Sequence, residues 1–505
     1  MELDGSTAGP SGVAKENLRL PRHGRQGLSQ RDRQSLRFRR QWVISRSGDR
    51  LPLDWPWIDL TQGLVLQFHP DTRVRHVIST TAARPPAGAI LLGIGISTTT
   101  PLELLDQTLA ELACNEHRRT ERFLHGLAGT YVLLIYDADG SMLYTDPAAM
   151  MPIFRGHGRV ASSPTLLGAL ERDAELDRMF PFGPHNDWYP GTLTPFVGVT
   201  AVPANHALDL GRGTLQRFWP QPDAAAPTSE PSIERIGDLL RTVATGTLEW
   251  GAVRCSLTGG KDSRLNLAAL RDRRDDVQFF TIRGPTVKPC DVELSGMLAA
   301  SFGLHHEFVD HDRPEPWLLE LYDEMTAGLS IGGRRQIIDA CSRLAGADVI
   351  HLNGNLGALA KSYFWHNRSP RTVTRTTLTR EFTRTPARIQ LELHQWLRSV
   401  PDLPPPTVYN LMYLEQRGGR WAAVGENAST LFYDSVAPLN SREIFEAICG
   451  LDVAEQHGGR LLVDLVGMLW PELLDVPYCR STRKWTARVP RRLKASLKRL
   501  TGSAH

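Results

Sequence analysis

Ser256-Leu257-Thr258-Gly259-Gly260-Lys261-Asp262-Ser263-Arg264 is the stretch that decides how this chain reads. The apolar run Val253-Arg254-Cys255-Ser256-Leu257 before it predicts a short strand, and the pattern after it predicts a helix over 263–273. Paired glycines let the backbone approach a ligand closely and adopt angles that other residues avoid. Free N–H groups at the start of the next helix, at its positive dipole end, then form an anion site. Ser256, Thr258 and Ser263 add hydroxyls, and Lys261 adds charge. A carboxylate at Asp262 would repel phosphate oxygens unless a metal lay between them, so the pattern points to Mg²⁺ on Asp262. The spacing fits neither G-x-x-x-x-G-K-[ST] nor G-x-G-x-x-G.

Working outward, the flanking segments alternate helices with short apolar strands, as a parallel α/β sheet requires. An amphipathic helix is expected over 233–249, strands over 277–282 and 306–309, a helix over 292–302, and mostly helix from 317 onward. Towards the N-terminus, QPDAAAPTSEPS (221–232) has almost no large apolar residue and reads as a linker. Before it, residues 41–220 read mainly as strands: Leu64-Val65-Leu66-Gln67-Phe68, then Thr130 to Tyr136, then Met142-Leu143-Tyr144 after an Asp139-Gly140 hairpin turn. A helix is expected over 101–124. Residues 1–40 are rich in Gly, Ser, Arg and Gln, too poor in apolar surface to offset chain entropy, and are expected to be disordered.

Composition adds mainly exclusions. The 505 residues carry a net charge of +3, with basic residues gathered at both ends, so the body gives no argument for a nucleic-acid partner. The apolar run from Ala89 to Ile96 is far short of the roughly 20 residues that span a bilayer. No membrane association is expected, and a cytoplasmic location is. Six cysteines without a C-x-x-C pair suggest neither a disulfide framework nor a zinc site.

The loop resembles the S-G-G-x-D-S signature of the PP-loop ATP pyrophosphatases, with Thr258 in place of the first Ser. The resemblance implies ATP and Mg²⁺ as cofactors, pyrophosphate held by residues 256–263, and adenine near Leu257, Thr281 and Ile282. The segments 126–136, 143–146, 152–154, 161–167 and 194–219 resemble, in order, a class II glutamine amidotransferase domain. Together the two parts resemble the asparagine synthetase, β-lactam synthetase and lasso-peptide cyclase group. The implied architecture is an Ntn-type antiparallel β-sandwich domain (41–220) followed by an adenine-nucleotide α-hydrolase-like parallel-sheet domain (233–500).

Departures from that family narrow the expected chemistry. Residue 2 is Glu2 and the first cysteine is Cys114, so the N-terminal Cys nucleophile of the glutaminase is not matched. The family's G-x-G-x-D-E segment is represented by Gly354-Asn355-Leu356-Gly357-Ala358-Leu359-Ala360-Lys361, which has no carboxylate; Gly354 and Asn355 stand for the pyrophosphate contacts, and Lys361 offers an ammonium to phosphate. Lys484 resembles the family's C-terminal catalytic lysine, with Asp434 and Glu443 as weaker acid/base candidates near Pro438-Leu439-Asn440. Asp291 and Glu293 read as helix N-terminal acids. Three functions stay open: an AMP- and pyrophosphate-forming amide ligase joining a carboxylate and an amine on a small-molecule or peptide substrate without glutamine, an ammonia-dependent asparagine synthetase, or a nucleotide-binding pseudoenzyme that serves a protein partner.

Overall fold

A computed structural model describes residues 30–79, 87–113, 117–183, 187–221, 231–365, 370–380, 382 and 384–479. The N-terminal part holds twelve strands in chain order: β1 (Trp42–Arg46), β2 (Trp57–Asp59), β3 (Leu64–Phe68), β4 (Val74–Ile78), β5 (Gly88–Ser97), β6 (Leu127–Tyr136), β7 (Ser141–Thr145), β8 (Phe154–Gly156), β9 (Arg159–Ala161), β10 (Thr200–Ala201), β11 (His206–Asp209) and β12 (Leu215–Arg217). They form two antiparallel sheets, β10-β8-β9-β1-β3-β2 and β12-β11-β7-β6-β5-β4.

Side-chain alternation explains why the sheets stack. Ile90 and Leu92 of β5 and Val132 and Leu134 of β6 point into one core with Trp42, Ile44 and Leu66 of the other sheet. Ala89, Leu91 and Ile94, with Tyr131 and Leu133, point the opposite way into a second, larger core shared with the rest of the chain. The Ala89–Ile96 run is therefore a strand buried on both faces. No helix among the described residues is long and apolar enough to cross a membrane.

The C-terminal part is a parallel sheet of β13 (Ala252–Ser256), β14 (Gln278–Arg283), β15 (His306–Asp310), β16 (Val349–Leu352) and β17 (Asp434–Val436), flanked by helices. Its order is β15-β14-β13-β16-β17, so the chain winds outward in one direction from β13 and then crosses to the other side at β16.

Two expectations are corrected. Residues 30–40 belong to the fold: Gln30–Leu36 is helical, and Leu36, Phe38, Arg39 and Arg40 are buried. Arg40 donates to the carbonyls of Thr430 (2.8 Å), Gly346 (2.8 Å) and Ala347 (2.9 Å), so its guanidinium fills an acceptor-rich slot that sequence composition does not reveal. Cys290 and Cys479, 189 residues apart, form a disulfide with Cα atoms 5.7 Å apart, although their spacing gave no sign of one.

Candidate active site

In an open parallel sheet, ligands bind beyond the carboxyl ends of the strands where the winding direction reverses. Here that point lies between β13 and β16. The loop after β13 (257–260) and the loop after β16 (353–356) flank it. The two glycine-containing loops singled out in the sequence thus meet at one crevice.

Internal hydrogen bonds shape the first loop. The Thr258 N–H donates to Ser263 Oγ (3.1 Å), the two hydroxyls lie 2.9 Å apart, and the Gly260 N–H donates to Thr258 Oγ1 (3.0 Å). The helix Lys261–Ala269 follows, with Gly260 at its N-cap and no side-chain cap, so its first-turn N–H groups open onto the crevice. Gly259 is required by close approach, since a Cβ there would lie 2.8 Å from Leu294 Cδ1 and 3.0 Å from Cys479 Cβ. Its N–H donates to Asp291 Oδ1 (3.1 Å), and its carbonyl accepts from the Cys479 N–H (2.8 Å). Asp291, in the first turn of the helix Pro289–Phe302, therefore caps a donor of the loop itself. Burial pushes the Asp291 carboxyl above its ordinary range, partly offset by that Gly259 bond.

Lys261 donates to the carbonyl of Gly459 (2.9 Å). Burial, and then the charge of Lys361, lower its ammonium's pKa. Asp262 Oδ2 accepts from Lys361 Nζ at 2.5 Å. Its other oxygen, Oδ1, is buried with no hydrogen-bond partner among the described residues and abuts Gly357, where a Cβ would stand 2.1 Å away. Gly354 also lies close, since a Cβ there would be 2.8 Å from Asp262 Cβ.

Mg²⁺ on Asp262 does not fit this arrangement. One oxygen is taken by an ammonium and the other is closed off by Gly357. Among the described residues, one trio of candidate metal ligands lies close together, Cys290, Asp291 and Cys479, and there the two sulfurs are bonded to each other.

The other expected residues fall as follows. Ser256 closes β13, and Leu257 is buried with its N–H on the Phe280 carbonyl (2.8 Å) and its carbonyl accepting from Thr281 Oγ1 (2.7 Å). Thr281 also meets His306 Nε2 at 2.8 Å, and Ile282 is half-buried on β14. The backbone edge expected to meet adenine is thus already engaged within the protein. Asn355 donates its N–H to Asn353 Oδ1 (2.9 Å), which fixes the turn of the second loop. Asp434 pairs with Arg73 (2.8 Å), and Glu443 pairs with Arg235 (3.0 Å) and Thr98. Both acids hold the two parts of the chain together and do not line the loop. Lys484 and Cys114 lie outside the described residues. Sequence reading missed the contacts of Asp291 and the Gly458-Gly459 shelf, because both come from segments remote in the chain.

No protein-family model matches the chain. No curated protein matches it either. The solved structures that match do so remotely. Glutamine-dependent NAD⁺ synthetase from Acinetobacter baumannii, in complex with ADP, is 13% identical with a TM-score of 0.18, over 42% of this chain and 40% of that one. Glutamine phosphoribosylpyrophosphate amidotransferase from B. subtilis, complexed with ADP and GMP, is 12% identical with a TM-score of 0.21, over 72% and 75%. A structure described as the allosteric regulatory enzyme of purine biosynthesis is 12% identical with a TM-score of 0.22, over 58% and 73%. The chain spans 40% of the synthetase's length. Likeness at this level assigns no activity.

Proposed function

We propose that this chain is an ATP-dependent amide ligase that forms AMP and pyrophosphate and takes its amine from the substrate or from free ammonia. One observation carries the reading: a glycine loop and an uncapped helix N-terminus stand at the winding reversal of a parallel sheet, with Lys261 and Lys361 beside them. The β- and γ-phosphates lie against the first-turn N–H groups and the two ammonium groups. A substrate carboxylate oxygen attacks the α-phosphorus, and the bond to the bridging oxygen breaks with its electron pair leaving on pyrophosphate. The amine then attacks the acyl carbon, loses a proton, and AMP departs. What the loop contributes is charge neutralisation of the leaving group and alignment of the α-phosphorus. The substrate is a small molecule or peptide bearing both groups, closed as a lactam, or an acid amidated by ammonia as in an asparagine synthetase.

A second reading, nucleotide binding without turnover in the service of a protein partner, draws on the Asp262–Lys361 pair and on Asp291 seated on the Gly259 N–H. Release of pyrophosphate from ATP with a panel of amino acids and linear peptides separates the two. The ligase predicts release that depends on the acid and falls at least tenfold in Lys261→Ala. ATP binding with no release under any acid favours the second reading.

A further inference from the structure

The ammonium of Lys361 sits on Oδ2 of Asp262, the carboxylate expected to hold a divalent ion. The surroundings hold it there. Gly357 is shaped around the Asp262 carboxylate and Gly354 around Asp262 Cβ, since a Cβ on either glycine would collide there. The turn Gly357–Lys361 is bracketed by two residues in the left-handed region, Leu356 (φ 67°) and Ser362 (φ 53°). Such conformations in non-glycine residues persist only where the surroundings impose them. Ser362 is fully buried, and its hydroxyl donates to the Gln456 carbonyl (2.6 Å). Lys361 and Lys261 share one shelf: a Cβ on Gly459 would lie 3.1 Å from Lys361 Cγ and 3.3 Å from Lys261 Nζ, and Lys261 is tied to the Gly459 carbonyl.

Two ammonium groups, Lys261 and Lys361, stand at the mouth of the loop beside the Asp262 carboxylate, with the Asp291 carboxylate on the Gly259 N–H, so positive charge is already supplied by the chain where a divalent ion would supply it. A metal ion arriving at Asp262 would have to displace one ammonium while facing the other.

We infer that this loop binds a polyphosphate without a protein-held divalent metal, with Lys361, positioned by Asp262 and seated beside Lys261, supplying the charge in its place. The inference rests on the polyphosphate site proposed above.

Isothermal titration of the full chain with inorganic pyrophosphate, and separately with ATP, in excess EDTA and in MgCl₂, tests it. Pyrophosphate affinity in EDTA is expected within about threefold of that in MgCl₂. Lys361→Met is expected to lose at least tenfold in EDTA, with Lys361→Arg recovering most of it and both variants retaining the wild-type circular dichroism spectrum. Binding of either ligand only with Mg²⁺, or unchanged affinity in Lys361→Met, overturns the inference while leaving the nucleotide site standing. Metal-free pyrophosphate binding without any ATP binding supports the inference and removes the ligase reading. No binding of either ligand in either buffer removes both.

Discussion

Asp291 donates nothing to the loop after β13 and takes a hydrogen bond from it, through the Gly259 N–H at 3.1 Å. A phosphate oxygen seeking that N–H must displace a carboxylate of the same charge. Asp291→Ala is therefore expected to raise pyrophosphate affinity about three- to tenfold, a gain in the range of one charge-assisted hydrogen bond freed for the ligand. The pH dependence has a definite sign. Burial raises the Asp291 pKa, so on acidification this carboxyl loses its charge sooner than an exposed one, and anion affinity increases as pH falls. Titration calorimetry at several pH values should show that slope in the wild type and lose it in Asp291→Ala. None of this was legible in the sequence, where Asp291 looks like any helix N-terminal acid. The loop itself was legible because its glycines, hydroxyls and Lys261 are adjacent in the chain. The Lys361–Asp262 pair, 99 residues apart, was not.

Among the elements, β13 and β16 flank the candidate site, and β13 was expected as a short apolar run followed by glycine. What the pattern concealed is the cost of one residue. His351 on β16 is buried between Phe280 and Tyr433, with ring centroids 5.3 Å away on each side and, among the described residues, no hydrogen-bond partner for either nitrogen. Burial, then the nearby Arg334 charge, lowers its pKa to about 3, against a smaller opposing pull from Glu426. The folded-state value is depressed, so the unfolded chain takes up a proton that the folded chain refuses. Stability from this site is complete above pH ~6.5 and falls by roughly 1.4 kcal/mol per pH unit below it until the folded ring itself titrates. His351→Phe fits a slot already lined by aromatic rings and removes this term. Thermal melts from pH 7 to pH 4.5 should fall less steeply in the variant, and an identical slope would show that His351 does not titrate as the packing requires. The Cys290–Cys479 bond belongs to this scale too: it ties the start of the helix Pro289–Phe302 to the segment passing Gly259, a contact that only the folded chain creates.

Across the whole molecule, the two halves are joined by buried polar groups as well as apolar ones. Arg442 is fully buried at the start of a helix of the C-terminal part, and it donates to Asn205 Oδ1 (2.9 Å), the Leu124 carbonyl (2.7 Å), Tyr131 Oη (3.1 Å) and the Thr145 carbonyl (2.9 Å) of the N-terminal part. Asn440 likewise bonds the Asp146 carboxylate at 2.9 Å and accepts the Ala148 N–H at 2.9 Å. Removing one member of such a network strands the others away from water, at a cost of about 1–3 kcal/mol for each buried group left unsatisfied. Arg442→Met is therefore expected to lower the denaturant midpoint of both halves together, read by far-UV circular dichroism and tryptophan fluorescence. Separate transitions, with the C-terminal half unaffected, would mean that the halves are independent. The architecture at this scale, an antiparallel sandwich followed by a parallel sheet, was legible from the change in periodicity on either side of residues 221–232. The interface was not, because Arg442 and Asn440 look like ordinary polar residues until the fold buries them.

The central claim is that the crevice between β13 and β16 receives a nucleoside triphosphate, and calorimetric titration of the full chain with ATP tests it most directly. Saturable binding that is competed by pyrophosphate and weakened at least tenfold in Lys261→Ala, about 1.4 kcal/mol, is the predicted result. Absence of binding, or binding that Lys261→Ala leaves unchanged, would contradict it.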